Sequence, residues 1–404
     1  MSKASDLRPP GATPAVGSEA QGTAAAQATV ILTATIFGLT YGLSAPLIAL
    51  NLAADGFDET AIGLNAAMHA LGVLLIAPLL PRLAFRLGPR RLALCALMAS
   101  AALLALFPAM PTPWLWFPLR LLLGMASESL FVVSETWLNT LTAEATRART
   151  MATYTAALSS GFALGPLLLV AMGSTGPASF LVGALLALAA FMVVLLGRAA
   201  SPPLEPSGRS TPVRFLLMAP VAVAATALNA ALETAGLSLL ALYAMRLGWA
   251  EIPATLLIST LLIGAILLQL PIGWLGDRMD RRRLMLILSV ASVLGALVWP
   301  LVLDHGWLAY PLLFLWGGVF VGLYTLAITI VGSRFSGGDL VGIYAVMSVA
   351  WGFGALAGPP LGGFAMGLTL HGLPIFAALA CFAFVLVLLR RERGHPASRP
   401  SRRP

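Results

Sequence analysis

Charge is what this chain has little of. Only 10% of its 404 residues are Asp, Glu, Lys or Arg, against 59% hydrophobic, and the mean hydropathy is +0.91. Soluble domains carry about 25% charged residues, so a water-facing globular surface is excluded. Cysteine is scarce as well. Cys95 and Cys381 both fall in apolar stretches, which excludes a disulfide framework and leaves them as small hydrophobes. The four histidines give no metal-ligand spacing, so neither a metal nor a cofactor is expected. There is no Walker-type phosphate loop and no Gly-x-Ser-x-Gly turn. Neither an ATP-driven pump nor an enzyme is therefore expected.

Long apolar runs take the place of those features. Twelve of them, each near the ~20 residues a helix needs to cross a bilayer, occupy roughly 28–53, 61–80, 92–110, 114–138, 150–172, 177–197, 215–243, 253–273, 284–303, 307–333, 340–366 and 372–390. Numbered as spans 1 to 12, they predict an all-α membrane protein of twelve transmembrane helices embedded in a lipid bilayer. Basic residues gather in alternate connections: Arg82, Arg86, Arg90 and Arg91 after span 2, Arg147 and Arg149 after span 4, Arg278 and Arg281 to Arg283 after span 8, Arg334 after span 10. Retention of Lys and Arg on the cytoplasmic side makes both termini cytoplasmic, as expected for an inner, plasma-membrane protein of a bacterium. The opposite connections carry Asp55, Asp58, Glu59, Glu251 and Asp304, with Arg246 as their base. The net charge of +8 is thus a topology signal, and no nucleic-acid partner is expected.

Composition also marks the boundaries. Residues 1–27 are rich in Ala, Gly, Thr and Pro and read as a disordered tail rather than a signal peptide. Residues 28–198 and 214–390 form two six-span bundles, joined by a Pro/Ser-rich linker at 199–213 and followed by a basic tail at 391–404. The two bundles repeat one another. Pro81-Arg82-Leu83-Ala84-Phe85-Arg86-Leu87-Gly88-Pro89-Arg90-Arg91 returns 192 positions later as Gly273-Trp274-Leu275-Gly276-Asp277-Arg278-Met279-Asp280-Arg281-Arg282-Arg283, and Gly161-x-x-x-Gly165-Pro166 returns 193 positions later as Gly354-x-x-x-Gly358-Pro359. Glycines at that spacing let helix backbones approach closely, and each proline removes a backbone donor. Duplicated halves are a common plan for secondary transporters.

Twelve spans in two six-helix pseudo-repeats around a Pro/Ser-rich connection resemble the major facilitator superfamily. The loop after span 8, with Gly273, Asp277, Arg278 and Arg281, resembles that family's cytoplasmic signature, whose Asp and Arg latch neighbouring helix ends in the outward-open state. The copy after span 2 keeps Arg86, Gly88 and Arg90 but has Phe85 in place of the Asp, which puts its latch in doubt. Glu144 is a candidate substitute. The span 5 motif resembles the antiporter signature of exporters, while its copy in span 11 fits a packing seam equally. The stretch from Glu135 to Asn139, Glu-Thr-Trp-Leu-Asn, is similar to a span 4 signature of the bacterial YcaD-like branch.

Charges inside spans are costly and mark function. Arg120-x-x-x-Gly124 in span 4 resembles a superfamily motif whose Arg is associated with proton transfer or substrate anchoring; snorkelling to the interface is the alternative. Glu128 and Glu135 share roughly one face of span 4 with Arg120, but the rise from Arg120 to Glu128 is about 12 Å. Glu128 is therefore left to bind a proton or a partner on another helix. Glu135 is expected to pair with Arg86, Arg147 or Arg149 as a gate. Asn229 and Glu233 stand one turn apart in span 7, and Tyr41 of span 1 is the repeat position of Glu233. Asn65 and His69 are likewise one turn apart in span 2. Gln269, Trp316, Tyr324, Tyr344 and Trp351 offer further cavity surface or packing. The reading is a monomeric secondary active transporter working by alternating access, with protons as the coupling ion and export of a small organic or amphiphilic solute as its task. Import of a vitamin-like or siderophore-like solute is the alternative, and a non-transporting receptor or scaffold the reading from another class.

Overall fold

The computed structural model describes residues 16–143, 146–197, 212–303, 306–335 and 337–393. Among them, twelve helices are long and apolar enough to cross a membrane: span 1 Ala24–Ala54, span 2 Glu59–Leu87, span 3 Pro89–Ala109, span 4 Pro113–Leu141, span 5 Arg149–Met172 and span 6 Ala178–Leu196, then span 7 Pro220–Arg246, span 8 Glu251–Arg278, span 9 Arg281–Val302, span 10 Gly306–Arg334, span 11 Gly342–Leu368 and span 12 Gly372–Arg390. Their outer surface is apolar: Leu196, Leu270 and Trp307 are among the most exposed side chains of the protein. That is the arrangement lipid requires and water would penalise.

Local chemistry sets where the helices begin and bend. The Asp58 carboxylate accepts from the Ala61 amide at 2.7 Å and opens span 2, and Asp280 accepts from the Arg283 amide at 2.9 Å and opens span 9. Both satisfy amides that a helix start leaves without intrahelical partners. At the repeat position of Asp280 stands Gly88, whose φ of 76° turns the chain between spans 2 and 3; glycine takes that angle at no steric cost. Pro78 lies in a 3₁₀ turn, Ala77–Leu79, that re-aims the end of span 2. The first helix starts at Val16 and runs unbroken to Ala54, so residues 16–23 precede span 1 in the same helix. Their Ala, Gln and Glu content favours helix. Residues 1–15, the linker residues 198–211 and the tail residues 394–404 lie outside the described residues; the short helix Pro212–Met218 precedes span 7.

The helices are held by close backbone approach at glycines, and the approaches repeat between halves. A Cβ on Gly161 of span 5 would clash with the Thr35 carbonyl of span 1, and one on Gly354 of span 11 with the Ala227 carbonyl of span 7. Gly165 likewise faces Gly42 and Leu43, and Gly358 faces Ala231. The Gly-x-x-x-Gly-Pro motifs of spans 5 and 11 are thus packing seams in both halves. A second pair of approaches joins spans 2 and 4, at Gly72 on Leu121 and Gly124 on His69. Its copy joins spans 8 and 10, at Gly264 on Phe314 and Gly317 on Leu261.

Replacing Gly165 or Gly358 by Leu is expected to lower the thermal unfolding midpoint of the detergent-solubilised protein, since overpacking costs about 1–3 kcal/mol. Gly236→Ala, in span 7 with open space around it, is expected to leave the midpoint unchanged or slightly raised. Equal behaviour of all three variants would contradict the seam.

Candidate functional site

The approach of Gly124 to the His69 backbone brings the Asn65–His69 turn of span 2 beside the Arg120 turn of span 4. The His69 ring stacks at a tilt on Tyr41 of span 1, with centroids 4.7 Å apart. Arg120 is buried, and one of its terminal nitrogens donates to the Ser44 carbonyl over 3.4 Å. Among the described residues it makes no ion pair. From the other half, Asn229 Nδ2 donates to Glu233 Oε2 at 3.1 Å, and Tyr41 lies within electrostatic reach of both Arg120 and Glu233. Tyr41, His69, Arg120, Asn229 and Glu233 therefore converge between the halves. The sequence places them on four separate spans.

Four buried polar atoms in this cluster have no hydrogen-bond partner among the described residues: Asn65 Nδ2, His69 Nδ1, Arg120 Nε and Asn229 Oδ1. Each such atom costs about 1–3 kcal/mol, and a buried arginine without an ion-pair partner adds a further cost. Such costs gathered in one place mark a candidate site.

Towards the arginine-rich end, Glu128 and Glu135 of span 4 are half-buried and close enough to influence each other. Tyr154, bonded to Ser134 through its hydroxyl at 2.9 Å, lies within reach of both, and Tyr324 of span 10 within reach of Glu135 and Glu233. Neither acid forms an ion pair among the described residues. The expected pairing of Glu135 with Arg86 or Arg149 is not made, because those arginines point to solvent at the helix ends. The Arg147 side chain and Glu144 lie outside the described residues. Trp316 is packing and not cavity surface: its indole nitrogen donates to the Ser292 carbonyl at 2.9 Å, and its ring meets Trp299 at 4.7 Å.

The loop after span 8 is folded on itself. Asp277 is exposed and pairs with Arg281 at 3.5 Å, Arg278 lies 3.7 Å over the Trp274 ring, and Arg281 Nε donates to the Gly276 carbonyl at 3.2 Å. In the first half Arg90 donates to the carbonyls of Val194, Leu195 and Gly197, closing the C-terminal end of span 6 as a cation does well. Arg86 and Phe85 are exposed. In these contacts the loop residues hold their own half.

The halves meet at the opposite end. Arg246 pairs with Glu59 at 3.1 Å and donates to the Met366 carbonyl at 2.7 Å, while Glu251 accepts from the Ser174 amide at 3.3 Å. Gly63 sits against the Pro359 carbonyl and Gly363 against the Glu59 carbonyl, too close for a Cβ at either. Sequence reasoning named these charges but gave them no role. The signal was present: Arg246 is the one base among acids on its side.

Family models of the Major Facilitator Superfamily match residues 30–259 and 215–404. The chain belongs to the Major Facilitator Superfamily and is a multi-pass membrane transporter of that fold. It is 27% identical over 273 residues to the uncharacterized MFS-type transporter YfkF of Bacillus subtilis, covering 66% of this chain and 69% of that one. It is 34% identical to the multidrug resistance protein MdtG of Salmonella typhimurium over 113 residues, 27% of this chain and 28% of that one. The nucleoside transporter NupG, as a point mutant, superposes with a TM-score of 0.78 at 14% identity, covering 90% of this chain and 99% of that one. A bacterial homologue of the lysosomal transporter Spinster, inward-facing and occupied, gives 0.72 at 12% identity, covering 96% and 100%. At these identities the two structures bear on the fold alone.

Breaking the Arg246–Glu59 pair is expected to loosen this end. In a chain with Cys95 and Cys381 replaced by Ala, a cysteine placed at the buried Asn65 position should react with a maleimide several-fold faster once Arg246→Ala is added. The swap of Arg246→Glu with Glu59→Arg should restore slow labelling, as coupling between contacting charges requires. Unchanged labelling in Arg246→Ala would remove the pair from the seal.

Proposed function

We propose that this protein is a proton-coupled transporter that exports a small organic or amphiphilic solute by alternating access, with the arginine-rich end in the bacterial cytoplasm. The observation that carries the reading is the convergence of Glu233 and Asn229 from one half with Tyr41, His69 and Arg120 from the other, beneath the Arg246–Glu59 seal. A site shared between halves and closed at one end is what alternation needs. Glu233 and Glu128 are the coupling groups: each is an acid inside a span with no cation paired to it among the described residues, so a proton is the simplest charge to neutralise it. His69 is the candidate to pass protons between the halves. Asp277, Arg278 and Arg281, with Arg86, take the role of a cytoplasmic latch when the opposite end opens; in this conformation the loop after span 8 is folded on itself.

Export is favoured over import by the stretch shared with a multidrug resistance protein. Kinship with the YcaD-like branch rests on the Glu135 to Asn139 stretch of span 4. The protein acts as a monomer, each chain holding both halves of its own site.

Reconstituted in liposomes with a trapped pH dye, the protein should move protons when a transported solute is added, and Glu233→Gln or Glu128→Gln should reduce that movement at least ~10-fold, the loss of a step worth about 1.4 kcal/mol or more. Full coupling in both variants overturns the assignment of the proton groups. In cells, deleting the gene should raise solute accumulation; a fall would identify an importer.

A further inference from the structure

The duplication supplies an internal control for the polar cluster. Spans 2 and 4 pack through the same glycine approaches as spans 8 and 10, so residues at matching offsets occupy matching places. Where the first half has Asn65, His69 and Arg120, the second has Leu257, Leu261 and Leu313. All six are sealed: the polar set is 1%, 4% and 2% exposed, the leucines 0%, 4% and 0%. Leucine therefore satisfies the packing at all three places. Beyond the bond from Arg120 to the Ser44 carbonyl and the contact of His69 with Tyr41, the amide, imidazole and guanidinium of the first half carry polar capacity that packing alone does not require.

The partnerless atoms indicate what that is. Among the described residues, Arg120 Nε and Asn65 Nδ2 are N–H donors buried without an acceptor, and the Arg120 charge has no carboxylate paired to it. Donors around a fixed positive charge suit an oxyanion. Across the interface the partnerless atom is an acceptor, Asn229 Oδ1, beside the Glu233 carboxylate that Asn229 already serves through its Nδ2. That side suits a donor. Tyr41, in contact with His69 at 4.7 Å between ring centroids, is within electrostatic reach of Arg120 and Glu233.

We infer that this cluster selects a solute with an oxyanion at one end, a carboxylate, sulfonate or phosphonate bound by Arg120, Asn65 and His69, and a hydrogen-bond donor at the other, an amine, amide or hydroxyl bound by Asn229 and Glu233. The inference names the solute class of the transport reading above and rests on it. Simple neutral or cationic amphiphiles lack the group that Arg120 requires, and they are poor ligands.

The test is a thermal-shift panel on the purified full chain in detergent, with no proton gradient. Its members are N-acyl amino acids and aryl carboxylates, sulfonates and phosphonates, the methyl esters of the carboxylates, and matched amines. Stabilising compounds should be the acids, with their esters inactive, and Arg120→Leu should weaken their binding about ten-fold or more, as loss of a charged partner does, while Arg120→Lys retains part of it. The internal control adds a readout that needs no ligand: Arg120→Leu and His69→Leu should each unfold at or above the parent temperature, since leucine fills the matching places in the second half. Stabilisation by amines or esters instead of acids, no stabilising compound in the panel, undiminished acid binding in Arg120→Leu, or a marked loss of stability in the Leu variants overturns the inference. Acids that bind in this way while moving no protons in liposomes would leave the site standing and defeat the coupling.

Discussion

Everything in this fold depends on helix backbones coming into contact where a side chain would hold them apart. Within lipid there is no hydrophobic drive to press apolar helices together, so close packing at small residues has to do it. The chain meets that requirement twice with the same geometry: spans 1 and 5 are joined as spans 7 and 11 are, and spans 2 and 4 as spans 8 and 10 are, in each case at glycines about 192 residues apart. Between the halves the same device recurs at Gly63 and Gly363, with the Arg246–Glu59 pair alongside. Two bundles meeting along a seam at one end suit the rocking motion that the proposed alternation requires.

The repeat is strict in its backbone and loose in its chemistry. Phe85 stands for Asp277, Gly88 for Asp280, Tyr41 for Glu233 and Arg120 for Leu313. Each departure has a local consequence. Gly88 turns the chain by its positive φ where Asp280 does so with a capping carboxylate, and Arg90 closes span 6 while Arg281 and Arg278 stay on their own loop. The largest departure, polar residues for leucines between spans 2 and 4, lies at the seam between halves. The bundles share an architecture, and the first half carries most of the charge inside the spans: Arg120, Glu128 and Glu135 against Glu233.

The architecture was legible because its signals are long and periodic: twelve apolar runs and two motifs at one offset predict twelve helices in two halves, and the Gly-x-x-x-Gly-Pro pairs predict the seams on which they close. The candidate residues could be picked out singly, since a charge in an apolar span is conspicuous. Their grouping could not be. Nothing in the order of residues says that Tyr41 meets His69, or that Arg86 faces solvent and leaves Glu135 to one side; those outcomes depend on helix rotation and on the 3₁₀ turn at Ala77–Leu79. The seal at Arg246 and Glu59 joins residues 187 positions apart from opposite halves, a distance no local pattern spans.

Alternation between two rigid halves is the central claim, and distances across both ends of one molecule test it most directly. Spin labels on the exposed positions Asp55 and Thr369 report the Arg246 end, and labels on Arg91 and Arg283 report the arginine-rich end. Lowering the pH, or adding a solute that binds, should lengthen one distance as the other shortens, in steps of several ångströms. Two distances that stay fixed, or that change in the same sense, would contradict the account.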